Sequence, residues 1–484
     1  MLRGVGSSPV RGGNGAEIRC GRSSGAFYRP GPVPPPMVSP TRRRPDEERR
    51  RREPPALILA GRAFVLGKLQ PVEIAISEDG WIQSVGKVVK GPRRHDVGDA
   101  VILPAATDLH VHFRDPGGDS RVENFTTGTI QAALGGVALV GEIPNTTPPV
   151  TNLESLQDKE ARVRRHAAVD VLLYATPSDP RALSALATHA GAFKVYLSPT
   201  TGVPDPPETR ALPDLLARLA RLGLPVSFHA EDAPHFSGTS PPTDPASWNA
   251  HRPPASERAA LDHILPGPTS LQLHVAHVTT PEAAERLRIA GVSFEVTPQH
   301  LLLNDRTSRD ALTKVNPPLR SESDRRDLWV AFTRGEVPIL ASDHAPHSLE
   351  EKERPFPLAP SGMPGVETML PLLLAKVRAT EVPLPVLVGA ACDRPARLLG
   401  QPHGRIAPGH RAHLMVVDFT KRTRVRATHL HAPCGWTAFE GWEAIFPREV
   451  YVRGQRVVHG GEYEGKPTGQ VVRPEFAPRP PASK

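Results

Sequence analysis

Cysteine is scarce. The 484 residues contain three, Cys20, Cys392 and Cys434, and none forms a Cys-x-x-Cys pair. A disulfide framework is not expected, and a reducing compartment, the cytoplasm, is the natural setting. Long apolar stretches are also missing. No run of 18 or more apolar residues occurs, so no membrane-spanning helix is expected, and the N-terminus lacks the apolar core of a secretory signal. Positive charge is lacking where nucleic acid would need it. The whole chain carries +8, but residues 1–55 hold twelve Arg against five Asp or Glu, a net of +7, which leaves +1 for residues 56–484. The basic balance belongs to a tail, and neither nucleic acid nor membrane is an expected partner.

That tail, residues 1–55, is rich in Gly, Ser, Pro and Arg, with "RPGPVPPP" and "RRRPDEERRRREPP". It holds too little apolar surface to fold alone and is read as disordered. Met37 as the true start is compatible with this. An Arg-rich, acid-poor organellar transit peptide is a secondary reading. The rest has the length for one large domain and a smaller one.

From residue 56 the pattern changes to short strands separated by Gly and Asp-Gly turns: "ALILAGRAFV", "PVEIAISEDG", "WIQSVGKVV". Similar signals return in "AHLMVVDF" and "EVYVRGQRVVHGGE". A small β-sandwich domain built from both termini, over 56–102 and 403–470, is expected, with a C-terminal tail at 471–484. The middle, 103–402, alternates strand and helix. Candidate strands are 103–110, 137–143, 169–175, 193–197, 226–230, 271–278, 292–297 and 339–343. Eight such strands with intervening helices predict a (β/α)8 TIM barrel, an α/β fold whose chemistry sits at the C-terminal strand ends.

Reactive residues recur at those ends. Strand 1 closes with His110 and His112 in "DLHVHFRDPG", two imidazoles on one face of a strand, followed by the cation Arg114. A lone His-x-His is often an accident of core or surface. Here Lys194 in "FKVYL", His229 in "VSFHA", His274 and His277 in "LQLHVAHV", and Asp343 in "ASDHAPH" fall on strands 4, 5, 6 and 8. Each has a bland alternative: an outward lysine, structural histidines, a helix-capping aspartate. Jointly they predict a metal centre, and histidine with oxygen donors and no thiolate suits Zn2+. A lysine between Phe193 and Val195 is costly to bury charged, and carboxylation by CO2 would turn it into a bridging carbamate.

"DLHVHFRDPG" together with "ASDHAPH" resembles dihydroorotase, of the amidohydrolase superfamily, over roughly residues 56–460. "FKVYL" is similar to the carboxylated-lysine type. The resemblance implies two Zn2+ per subunit. His110, His112 and Asp343 would hold one and His229 and His277 the other, with carboxylated Lys194 bridging them. His277 is preferred to His274 because "AHVTT" matches the family's His-Val-Ser stretch. It further implies reversible hydrolysis of dihydroorotate to N-carbamoyl-L-aspartate in pyrimidine biosynthesis, with Asp343 as the catalytic proton carrier. Arg114, Asn145, Asn316, His347, Ser361 and Gly362 would contact the substrate; without the resemblance, Asn145 in "IPNTTPP" reads as a turn residue. Self-association or docking to aspartate transcarbamoylase are the implied partners. Departures are small: Ile143 stands where Met is common and Gln299 where His is usual. The Pro-rich insertion 236–254 has no physical explanation at this stage. The rival readings are a hydantoinase, dihydropyrimidinase or allantoinase, which share the metals but not a carboxylate to pair with Arg114. A non-catalytic partner of aspartate transcarbamoylase would be expected to have lost metal ligands.

Overall fold

The structure, a computed structural model, describes residues 53–87, 90–91, 93–200, 205–238 and 240–476. The expected disordered tail therefore lies outside the described residues except for its last three.

Two sheets organise the chain. The first contains β1 (Leu57–Val65), β2 (Lys68–Ile76), β3 (Ile82–Gly86) and β4 (Arg94–Pro104) from the N-terminal side. The barrel strands follow: β5 (Ala106–Val111), β6 (Val137–Glu142), β7 (Asp170–Ala175), β8 (Ala192–Tyr196), β9 (Pro225–His229), β10 (Gln272–Val275), β11 (Ser293–Val296) and β12 (Ile339–Leu340). The chain then returns to the first sheet with β13 (Leu414–Val417). A ribbon of β14 (Thr423–Arg424) and β15 (Glu443–Ala444) comes before β16 (Glu449–Val452), β17 (Gln455–His459), β18 (Glu462–Tyr463) and β19 (Val471–Val472).

Both chain ends share one eight-stranded path, ordered β18-β17-β16-β13-β4-β1-β2-β3. It has its own apolar cluster of Leu57, Leu59, Ile74, Ile102, Leu414 and Val416. The eight parallel strands β5 to β12 run in sequence order around a nearly closed barrel. Closure between β12 and β5 comes from His112 N–H donating to His344 O at 2.7 Å. Ser342 N–H adds a bond to Asp108 Oδ1 at 3.0 Å.

Three details go beyond or depart from the sequence expectation. The stretch 103–110 is two strands, because the chain changes sheets at Ala105. The amide of Ala105 bonds His413 O in the first sheet and that of Ala106 bonds Gly136 O in the barrel. Apolar residues on both sides hide such a switch. The second detail concerns 471–484, expected as a tail. Val471 and Val472 pair with Val171 and Leu172 of β7. On that side β8 pairs only with Tyr174 and Ala175, so β19 fills the slot beneath it. Third, the insertion holds a helix, Pro245–His251, started by an Asp244–Ser247 capping box.

Alternation along β8 sets up the site. Phe193 and Val195 pack outward against the helices. Ala192 and Tyr196 belong to the interior cluster with Leu109, Leu139 and Leu172. Lys194 shares their parity and is fully buried within the barrel.

Candidate active site

At the C-terminal end of the barrel, His110, His112 and Asp343 bring their ligand atoms within 4.8 Å of one another. Asp343 Oδ1 lies 3.2 Å from His112 Nε2 and 3.4 Å from His110 Nε2. The opposite ring nitrogens are occupied. His110 Nδ1 is 2.6 Å from Glu295 Oε1, and His112 Nδ1 is 2.6 Å from Asn145 Oδ1. Both acceptors require a proton on Nδ1, which leaves the two Nε2 lone pairs converging with the carboxylate. Burial, then the Lys194 charge, pushes His110 down to about 4, so it is a neutral imidazole. Burial acts to raise the Asp343 carboxyl, but His110 and His112 outweigh it and hold Asp343 below the usual range.

A second group adjoins the first. His229 Nδ1 is 2.9 Å from His277 Nε2, and the His277 ring centroid is 5.3 Å from that of His110. Lys194 Nζ stands 3.5 Å from His110 Nε2 and 3.4 Å from Ser227 Oγ, with no ion pair among the described residues. Burial lowers it to about 8. His229 and His277 are also lowered, first by burial, so all three ring systems are in the ligating form. His277 Nδ1 is buried without a hydrogen-bond partner among the described residues. His274 is held elsewhere, its Nε2 3.0 Å from Glu295 Oε2. Neutral imidazoles, a carboxylate and an orphaned buried nitrogen fit a divalent cation.

Backbone strain gathers here. Arg114 (φ 53), His277 (φ 38) and Asp343 (φ 50) occupy the left-handed region. For residues with a Cβ this is uncommon and clusters at functional sites.

The residues expected to meet substrate fall in two sets. Arg114 donates from Nη1 to Pro346 O at 2.5 Å, and its Nη2 lies 3.0 Å from His347 Nε2. Its Nε is buried without a partner among the described residues. His347 Nε2 also lies 3.1 Å from Ser361 O. Burial, then Arg114, holds His347 near 2, hence neutral. Gly362 has φ 134, and a Cβ there would lie 2.5 Å from Ala345 O, so only glycine fits. In the second set, Asn316 Oδ1 accepts from Trp248 Nε1 at 3.1 Å. Asn145 Oδ1 contacts His112 Nδ1 at 2.6 Å.

Sequence reading missed the supporting shell. Glu295 orients His110 and His274. Glu231 lies 2.8 Å from His229 Nε2 and takes an ion pair from Arg252 at 2.6 Å. Asp108 Oδ1 accepts from His110 N at 3.2 Å as well as from Ser342 N. Glu231 and Asp108 left a trace, each as an acid two residues from a candidate ligand. The insertion is explained too, since its Trp248 and Arg252 reach Asn316 and Glu231. Gln299, the departure near strand 7, donates to Ser342 O at 3.1 Å, beside Asp343.

A dihydro-orotase-like family model matches residues 99–193. A dihydroorotase of Thermoplasma volcanium is 36% identical, covering 85% of this chain and 96% of the relative. One of Halobacterium salinarum is 35% identical, covering 78% and 92%. Among solved structures, an L-hydantoinase (dihydropyrimidinase) from Arthrobacter aurescens superposes with a TM-score of 0.79 at 26% identity, covering 86% of this chain and 99% of that one. A barrel with this histidine–aspartate cluster, and relatives this similar over nearly their whole length, place the chain in the dihydroorotase family.

Proposed function

We propose that this chain is a dihydroorotase, hydrolysing the ring amide of (S)-dihydroorotate to N-carbamoyl-L-aspartate and closing the ring in the biosynthetic direction of pyrimidine (UMP) formation. The observation that carries this reading is Arg114, a half-buried arginine two residues beyond His112 whose buried Nε has no partner among the described residues. A donor fork of fixed charge beside a metal-type cluster suits a cyclic amide that bears a carboxylate.

By donor chemistry two Zn2+ fit, one with His110, His112 and Asp343 and one with His229 and His277. When bound, such a pair supplies a water of lowered pKa and polarises the scissile carbonyl. Lys194, lowered to about 8 by burial, offers some free amine at neutral pH. That amine attacks CO2 and gives up one proton, forming a carbamate. The buried cation is thereby exchanged for two oxygen donors. Asp343, kept ionised, accepts a proton at its carboxylate and returns it to the ring nitrogen as the C–N bond breaks. Arg114 pairs with the substrate carboxylate. His347, Asn145, Asn316, Ser361 and Gly362 orient the ring.

A cytoplasmic setting is part of this reading, supported by the scarcity of cysteine. Among the described residues no helix is long and apolar enough to cross a membrane. Self-association and docking to aspartate transcarbamoylase are the partnerships to test by sedimentation.

The test is a comparison of turnover on dihydroorotate, dihydrouracil, hydantoin and allantoin. Dihydroorotate should be preferred by kcat/KM. A preference for a neutral ring would favour the second reading, a hydantoinase-type amidase, to which the likeness to the Arthrobacter enzyme lends support. Less than one metal per chain, with no rescue by added Zn2+, would favour a non-catalytic partner.

A further inference from the structure

Two lysines are buried behind the Phe356–Gly362 loop, and neither has an ion-pair partner among the described residues. Lys352 Nζ donates to Pro360 O at 3.0 Å, Gly362 O at 2.9 Å and Lys314 O at 3.3 Å. Lys314 Nζ donates to Phe356 O at 2.7 Å and Ala359 O at 2.8 Å. The rings of Trp248 and Phe356 flank it at 4.7 and 4.9 Å. A buried ammonium is expensive unless dipoles replace its water. Here the loop's own carbonyls do so, and the loop is shaped around the two charges.

Lys352 takes the carbonyls of residues 360 and 362, on either side of a bend at Ser361. The one between, Ser361 O, faces the other way and meets His347 Nε2 at 3.1 Å. A carbonyl only accepts, so this contact calls for a proton on Nε2 and an acceptor at Nδ1, against Arg114 Nη2, a donor 3.0 Å from the same Nε2. Arg114 Nη1 lies 3.3 Å from that Nδ1.

We propose that Lys352 is a positioning residue: by gripping the carbonyls of Pro360 and Gly362 it turns the Ser361 carbonyl onto His347, fixes the His347 tautomer, and so sets Arg114 for an anionic substrate. This rests on the reading that Arg114 and His347 face the substrate. Lys352→Met keeps the length of the chain and removes the charge.

The full-length protein, labelled with 15N-histidine, gives a direct readout, the His347 signal being assigned by its loss in His347→Gln. The wild type should show the Nε2–H tautomer, and Lys352→Met should show that tautomer lost or mixed. Metal content should be unchanged, KM for dihydroorotate should rise by about tenfold or more, and kcat should stay within about threefold. An Nδ1–H tautomer in the wild type would overturn the proposal, as would a variant with unaltered KM or with the loss confined to kcat. Should Lys352→Met fail to fold, the wild-type tautomer still decides. If the wild type does not turn over dihydroorotate, the functional reading fails, while the tautomer change in Lys352→Met judges the positioning role separately.

Discussion

Glu295 holds His110 from behind: its Oε1 lies 2.6 Å from His110 Nδ1, the nitrogen directed away from Asp343. The other oxygen holds His274 at 3.0 Å. Burial acts to raise this carboxyl, but His110 and His274 overcome it and keep Glu295 ionised. A charged acceptor on Nδ1 fixes the ring and raises the basicity of Nε2. Glu295→Gln is therefore expected to weaken metal binding by roughly 10- to 100-fold, read by competition with a chelator. Unchanged affinity would show that the carboxylate charge is irrelevant to the centre.

Lys194→Ala removes the buried amine beside His110 that is read as the bridge. Metal content should fall to one ion per chain or fewer, and turnover should drop by about 100-fold or more. Chelator-stripped wild type should regain activity with added Zn2+ faster when bicarbonate is present. Retained metals with a near-normal rate in the variant would sink the bridging role.

Arg114→Ala should lower kcat/KM for dihydroorotate by roughly 100-fold, about 2.7 kcal/mol of lost transition-state binding. Slow turnover of dihydrouracil, if any, should be spared. Equal losses on charged and neutral rings would mean that Arg114 supports the site's structure and does not read the carboxylate.

Far from the chemistry, Asp170 opens β7 and ties three chain segments together. It bonds Arg453 Nη2 at 2.8 Å, the amide of Gln470 at 3.0 Å and His413 Nε2 at 3.3 Å. Burial acts to raise it, but His413 and Arg453 prevail and hold it at about 2, below its ordinary 3.8. A depressed carboxyl adds stability above its unfolded pKa and loses it as pH falls through the folded one. The contribution, about 2 kcal/mol, should be complete above pH ~4 and vanish towards pH ~2. In denaturant titrations Asp170→Asn should be less stable than wild type at pH 7, with the gap narrowing between pH ~4 and ~2. A gap independent of pH would contradict this account.

The barrel was legible in the chain because its signals are local. A buried parallel strand is a short apolar run, and several candidate residues stand at the end of one, as His229 does after "VSF" and Asp343 after "ILAS", while Lys194 stands in the middle of its strand. The parity of Lys194 against Phe193 and Val195 followed from the two-residue period of a strand. Less legible were the points where neighbours in space are remote in sequence. Glu295 lies 185 residues from His110, and nothing in "SFEVTP" marks it as a partner. The change of sheet at Ala105 leaves no trace in hydrophobicity, because both sheets bury the same kind of residue.

The sequence by itself therefore determined the order of barrel strands and which candidate side chains those strands bear, since these depend on residue type and local period. Tertiary structure decided which nitrogen of each histidine is free, that Trp248 and Arg252 of the insertion brace the site, and that β19 closes the slot beside β7. It also decided that Lys352 meets carbonyls and no acid. Those outcomes depend on the distance and direction between groups far apart along the chain, and these are fixed only when the barrel closes.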